Sequence, residues 1–358
     1  MKAKILIVLS IILSILLVGF YLKPAFQEVS DLAPKLVPMG PIKAKEIVEP
    51  VVAETKKEVS IQFFGDIMLD RSVAKVMGSE GLDYIFAKDK GIFVDTNLTI
   101  ANLEGPFAPT RIQTSKTIAF RFDPKLAAQL KSYGFDAFSM ANNHGMDMGK
   151  KNVDFTRSVL LENSLGYFGD EYNTGPQYTY TVGEERGLSF KVAFVGLNYT
   201  EGALDIKQIK QVIDNAKSQA KFVIVNIHWG EEYKRISNIK QRNMAHQLVD
   251  IGVDAIIGHH PHVIQEVEVY KGKYIFYSLG NFIFDQYFSA ETQEGASVVM
   301  DLQEDGTVGA QIFPFFSKKS QVERMVGDQK QEFFDWLQKN SRLEDKKFES
   351  LIFLEKNV

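Results

Sequence analysis

From Val59 onward the chain alternates short apolar runs with amphipathic stretches. VSIQFF (Val59–Phe64), LTIANL (Leu98–Leu103), FDAFSMA (Phe135–Ala141), KVAFVGL (Lys191–Leu197), KFVIVNI (Lys221–Ile227), VDAIIG (Val253–Gly258) and KYIFYSL (Lys273–Leu279) read as buried strands. Between several of them the pattern predicts helices with legible ends. Asp123 caps one, with Pro124 in its first turn and Gly134 after its last, while Gly166 and Gly252 follow the periodic runs before them. Alternating strand and helix predict an α+β (layered α/β) domain of roughly 260 residues, acceptable as one unit. Gly134-Phe135-Asp136-Ala137-Phe138 echoes Gly252-Val253-Asp254-Ala255-Ile256, two similar helix-to-strand joints rather than a repeat. Residues 318–358 are charged, with an amphipathic run around Phe333, Phe334, Trp336 and Leu337. This predicts a C-terminal helical extension, either packed on the domain or free to bind a partner.

Before Val59 the pattern is different. Ile5 to Leu22 is an uncharged apolar stretch preceded by Lys2 and Lys4. About 18 such residues are just enough for a helix to span hydrocarbon, and positive charge favours the cytoplasmic side. Residues 1–23 are therefore expected to be a single-pass anchor, with everything after Lys23 outside the cell membrane. A cleaved signal peptide would carry a small-residue cleavage site, and Lys23, Pro24, Ala25 and Phe26 offer no clear version of one. Residues 24–58 hold Pro24, Pro34, Pro38, Pro41 and Pro50 among scattered charges and read as a linker stiffened toward polyproline II.

The polar residues add chemistry to this scaffold. Six apolar runs end in a potential ligand or catalytic group: Asp66, Glu104, Asn143 with His144, His228, His259 to His262, and Asn281. In layered α/β sheets the carboxyl ends of strands form the crevice where ligands bind. Of the 6 histidines only His246, inside a predicted helix, lies elsewhere. Carboxylates, an amide oxygen and imidazoles at one sheet edge suit two divalent ions, with Mn, Fe or Zn favoured over Mg. Two such ions, roughly 3.5–4 Å apart, can activate water and clamp a phosphoryl group.

Composition narrows the reading. With 45% hydrophobic residues the domain has material for a sizeable core, and with 0 Cys it excludes disulfides, thiolate ligands and lipoprotein attachment. A net charge of −4 gives no basic footprint for nucleic acid.

GDIMLDR, NLEGPF, ANNHGMDMG, IHWGEEY, GHHPHVIQ and YSLGNFIFD occur in this order. Together they resemble the CapA family of poly-γ-glutamate capsule biosynthesis proteins, a branch of the calcineurin-like metallophosphoesterases, over residues 59–317. The resemblance implies an αββα sandwich of two mixed sheets between helices. It implies Asp66, Glu104, Asn143, His228, His260 and His262 as metal ligands, Glu104 standing where the superfamily has its bridging aspartate. It implies His144 as general acid, with His259 adjacent for substrate. Two departures stand out: the superfamily's Asp-x-His is here Asp66-Ile67-Met68, and Glu104 is longer than aspartate.

Blander roles compete for several residues. His228 is a core histidine or a ligand; Asp147 orients His144 or caps a helix near Gly149; Asn281 caps a turn or lines the site. Arg71 and Arg121 bind an anionic substrate or pair on the surface. Trp229, Tyr233 and Phe282 pack the crevice wall or stack on a ligand. Two functions follow: a metal-dependent hydrolase or transferase acting on an anionic polymer, phosphoester or γ-glutamyl substrate, or a degenerate subunit that binds or exports such a polymer. Either would work with membrane-bound capsule synthesis subunits.

Overall fold

Phe63 and Phe64, neighbours on strand β1 (Glu58–Ile67), enter different cores because successive side chains of a strand face opposite ways. In the computed structural model, which describes residues 57–88, 91–173, 179–200, 202–343 and 351, β1 lies in the middle of a large mixed sheet. On one side it pairs in parallel with β2 (Leu98–Leu103), followed by β3 (Ala137–Ser139) and β4 (Gly166–Phe168). On the other side it pairs antiparallel with β12 (Glu294–Gln303), which leads to β13 (Val308–Lys318) and β14 (Gln321–Arg324). The short β11 (Asn281–Ile283) joins the end of β1 in parallel.

A second sheet has the order β5 (Thr179–Val182), β6 (Val192–Tyr199), β7 (Phe222–Trp229), β8 (Ala255–His259), β10 (Lys273–Phe276), β9 (Val267–Tyr270). Phe63, Ile100 and Val298 of the first sheet share one core with Phe194, Ile224 and Ile257 of the second, so the sheets pack face to face. Helices cover both outer faces. Val73 of α1 (Arg71–Met77), Leu82 of α2 (Leu82–Phe86), Leu130 of α3 (Leu126–Ser132) and Leu160 of α4 (Lys150–Glu162) pack with Phe64 and Leu103. Ile213 of α5 (Ile206–Gln219) and Leu248 of α6 (Ile239–Asp250) pack with Val225 and Ile256. The expected two mixed sheets with helical layers are present.

All seven expected strands form. The β12–β13 hairpin is not among them, because Ser297, Asp301, Gln311 and Pro314 interrupt its apolar residues. Asp305-Gly306 at its tip is the local sign of the turn. The expected boundary between 317 and 318 falls inside β13, and β14 extends the same sheet. Helix α7 (Gly327–Asn340) then buries Phe333, Phe334 and Leu337 in the inter-sheet core, which settles the choice between packed helix and free tail.

The two echoing joints are the same device. Gly134 (φ 99°) and Gly252 (φ 108°) adopt the left-handed region that ends a helix. Two residues on, Asp136 accepts the Thr99 amide and Asp254 the Val223 amide, both at 3.0 Å, pinning the neighbouring strand. The expected anchor, 1–23, lies outside the described residues, as does nearly all of the linker; among the described residues no helix is long and apolar enough to cross a membrane.

Candidate metal centre

Asp66 near the end of β1, Glu104 just beyond β2, Asn143 and His144 after β3, His228 on β7 and His259 to His262 at the end of β8 come together at the strands' carboxyl ends. Glycine at 65 lets a backbone approach closely there, since a Cβ would sit 2.0 Å from the Gly280 carbonyl oxygen. The Asp66 amide donates to that oxygen at 3.1 Å, which sets Asn281 opposite Asp66.

Asn102, a buried amide in the otherwise apolar β2, ties the cluster together. Its Nδ2 donates to Asp66 Oδ1 at 2.8 Å and lies 3.4 Å from both Glu104 Oε2 and His228 Nδ1. His228 Nε2 is 2.9 Å from Asn143 Oδ1, and its ring centre is 4.8 Å from that of His260. His259 Nδ1 is 3.2 Å and His262 Nδ1 3.4 Å from the Asp66 oxygens. His262 Nε2 is 3.6 Å from Glu104 Oε1. His260 (φ 95°) and His262 (φ 57°) both hold left-handed backbone, a strain of order 1–3 kcal/mol each that persists where surrounding structure imposes it.

Electrostatics separates the two carboxyls. Burial opposes ionisation of Asp66, yet the imidazoles of His259 and His262 outweigh it and hold this carboxyl well below the usual range. Burial pushes Glu104 well above its ordinary value, with the Asp66 charge adding to the rise and His262 opposing it. Burial drives His228 far down and His260 down to about 4. His262 goes the other way, to about 9, because the Glu104 and Asp66 charges overcome its burial. These values describe the protein without cations.

The donors fit divalent cations. Asp66, Glu104 and His228 form one group whose ligand atoms lie within 4.8 Å of one another, and Glu232, His260 and His262 form another. Glu104 Oε1 is buried without a hydrogen-bond partner, a costly arrangement that a cation would relieve. Oxygen and imidazole donors without sulfur suit Mn, Fe or Zn.

His144 lies beside this group and is held by its own partners. Its Nδ1 is 2.6 Å from Asp147 Oδ2, and its ring centre is 4.2 Å from that of Phe120. Asp147 also accepts the Phe120 amide at 2.7 Å and the Lys116 ammonium at 2.9 Å. Helix α4 starts at Lys150 with no side-chain cap at Gly149, so Asp147 orients His144 rather than capping the helix.

The three expected substrate contacts, Asn281, His259 and Arg71, differ in their burial and partners. Asn281 is buried: Oδ1 faces His262 Nδ1 at 2.9 Å, while Nδ2 donates to the His262 and Thr292 carbonyls and to Gln286. It positions His262. His259 is 1% exposed, with Nε2 3.4 Å from Asn226 Oδ1, and it supports Asp66 from behind. Arg71 pairs with Asp285 and lies over the Phe120 ring at 4.9 Å, at the rim of the site. Arg121 instead holds the Ala108 and Pro109 carbonyls. Trp229 and Phe282 are core residues, whereas Tyr233 is 44% exposed with its ring centre 6.2 Å from that of His262. Sequence reading assigned no role to Asn102, Asn226, Lys116 or Glu232. Lone amides inside apolar strands were the available signal for the first two.

Residues 60–286 match the model of the bacterial capsule synthesis protein family PGA_cap. The chain is 32% identical over 292 residues to the capsule biosynthesis protein CapA of Bacillus anthracis, covering 76% of this chain and 71% of that protein. It therefore belongs to the CapA family. A second CapA-family relative, the PGA biosynthesis protein CapA of Bacillus subtilis strain 168, is 33% identical over 270 residues, covering 72% of this chain and 71% of that one. A probable polyglutamine synthesis accessory protein of Mycobacterium tuberculosis is 24% identical over 259 residues, covering 64% and 68%. Within this CapA-family chain, Met68 is fully buried and its Sδ faces the Asp70 amide at 3.1 Å.

Proposed function

We propose that the chain is a membrane-anchored, extracytoplasmic CapA-family protein of poly-γ-glutamate or related cell-surface polymer synthesis, with a two-metal hydrolase or transferase site of the metallophosphoesterase type. The observation that carries it is the convergence of Asp66, Glu104, Asn143, His228, His260 and His262 around one buried cluster. The capsule role rests on the similarity to the CapA proteins of Bacillus anthracis and Bacillus subtilis strain 168. Partners on this reading are membrane-bound synthesis subunits.

When bound, divalent ions polarise a phosphoryl or acyl oxygen and activate water. The protein's own part is to supply a proton. Asp147 accepts the Nδ1 proton of His144, so the proton that passes to the departing oxygen or nitrogen is the Nε2–H of the imidazolium form, which leaves the neutral Nδ1–H tautomer. The Phe120 ring, tilted 36° against the imidazole, packs on it and limits its rotation.

A second reading, a polymer-binding subunit without turnover, is favoured by Met68 standing where an imidazole is expected. A panel of phosphoesters and γ-glutamyl peptides separates the two. Turnover that rises on adding Mn²⁺ and falls with chelator is the expected result, and binding of poly-γ-glutamate without any turnover supports the second reading. Topology has its own test, motivated by Lys2 and Lys4 ahead of the apolar run. A reporter fused at Val358 should be active only outside the cytoplasmic membrane; cytoplasmic activity reverses the orientation.

A further inference from the structure

His260 and His262 supply two imidazoles to one side of the cluster, but two neutral donors leave a divalent cation short of ligands and of charge. His260 Nδ1 is buried without a hydrogen-bond partner, and the residue is 8% exposed. Besides Asp66 and Glu104, a further donor within reach of both rings is the carboxylate of Glu232, whose ligand oxygen lies within 4.8 Å of theirs. It stands in the turn after β7, beyond Gly230 (φ 91°). That turn is fastened to the histidine segment itself: the Tyr233 amide donates to the Pro261 carbonyl at 2.8 Å, with Tyr233 at φ 65°. The backbone bond thus sets Glu232 against His260 and His262 before any cation arrives. Its neighbour Glu231 turns elsewhere, accepting from Asn238 Nδ2 at 3.2 Å.

We propose that Glu232 is a metal ligand, adding an oxygen donor and negative charge to the imidazoles of His260 and His262. Unlike Asp66 and Glu104, it is exposed, so it coordinates from the open face of the site. This rests on the metal reading proposed above.

The test is equilibrium Mn²⁺ binding by the full-length chain, with the parent, E232Q, E232D and E231Q side by side and metal-free melting curves for each. E232Q is expected to lose affinity at one site by roughly tenfold or more, a loss of the size seen when groups tuning a metal site are removed. E232D, which keeps the charge on a shorter arm, should lose less, and E231Q should match the parent. Parent-like stoichiometry and affinity in E232Q overturn the assignment while leaving the metal reading standing, and an equal loss in E231Q overturns it as a mere charge effect. A parent that binds no Mn²⁺ overturns the metal reading, and this ligand with it. The amide is nearly isosteric and the position exposed, so E232Q should melt with the parent; if it does not, E232A carries the test, and parent-like Mn²⁺ binding by it overturns the assignment.

Discussion

Replacing His260 and His262 together by alanine is expected to lower bound metal far below the parent's content, while His246→Ala leaves it unchanged. The pair forms one donor group with Glu232, both positions hold left-handed backbone, and the His262 imidazole also lies against Asp66 and Glu104. Removing both takes away two donors at once, so the loss of affinity should exceed roughly a hundredfold, the upper end of what indirect changes to a metal site cause. It should also remove the His262 imidazole that opposes the rise at Glu104, which favours protonation of that carboxyl further. His246 is a control of the same chemistry in another place: on α6 it bonds Glu268 at 2.9 Å and stacks on Tyr270 at 3.9 Å. Elemental analysis of the purified full-length chains decides the matter. Metal lost in His246→Ala alone would mean that the site lies elsewhere.

His144→Ala should keep metal near the parent's level yet lose turnover by about two to four powers of ten, the usual worth of a general acid. Asn143→Ala should lose both. The two residues are neighbours with separate partners: Asn143 Oδ1 faces His228 Nε2, whereas His144 Nδ1 faces Asp147. An amide oxygen can give only coordination, while an imidazolium N–H can give a proton. Metal content and turnover are to be measured on the same preparations. Parent-level turnover in His144→Ala with metal retained would sink the acid assignment and favour the polymer-binding reading.

Part of this protein is written locally. Each site strand announces itself as an apolar run closing on a polar group, because a strand buried on both faces tolerates polar side chains only at its end or where a partner is built in. Asp66, Glu104, Asn143, His144, His228, His260 and His262 were legible for that reason, and so were the Gly-x-Asp joints whose aspartates pin the next strand. Other roles depend on residues far apart in the chain. Asn281 looked like a site residue, but β11 lies beside β1 and turns its amide onto His262. His259 reads like its neighbours, yet its ring faces inward to Asp66 and Asn226. Glu232 is indistinguishable from Glu231 in sequence, and only the bond from Tyr233 to Pro261 decides which carboxylate meets the histidines. The sequence by itself determined which residues carry donors and at which strand ends; the tertiary structure decided where each donor points, because that is set by backbone pairings between segments that do not encode one another.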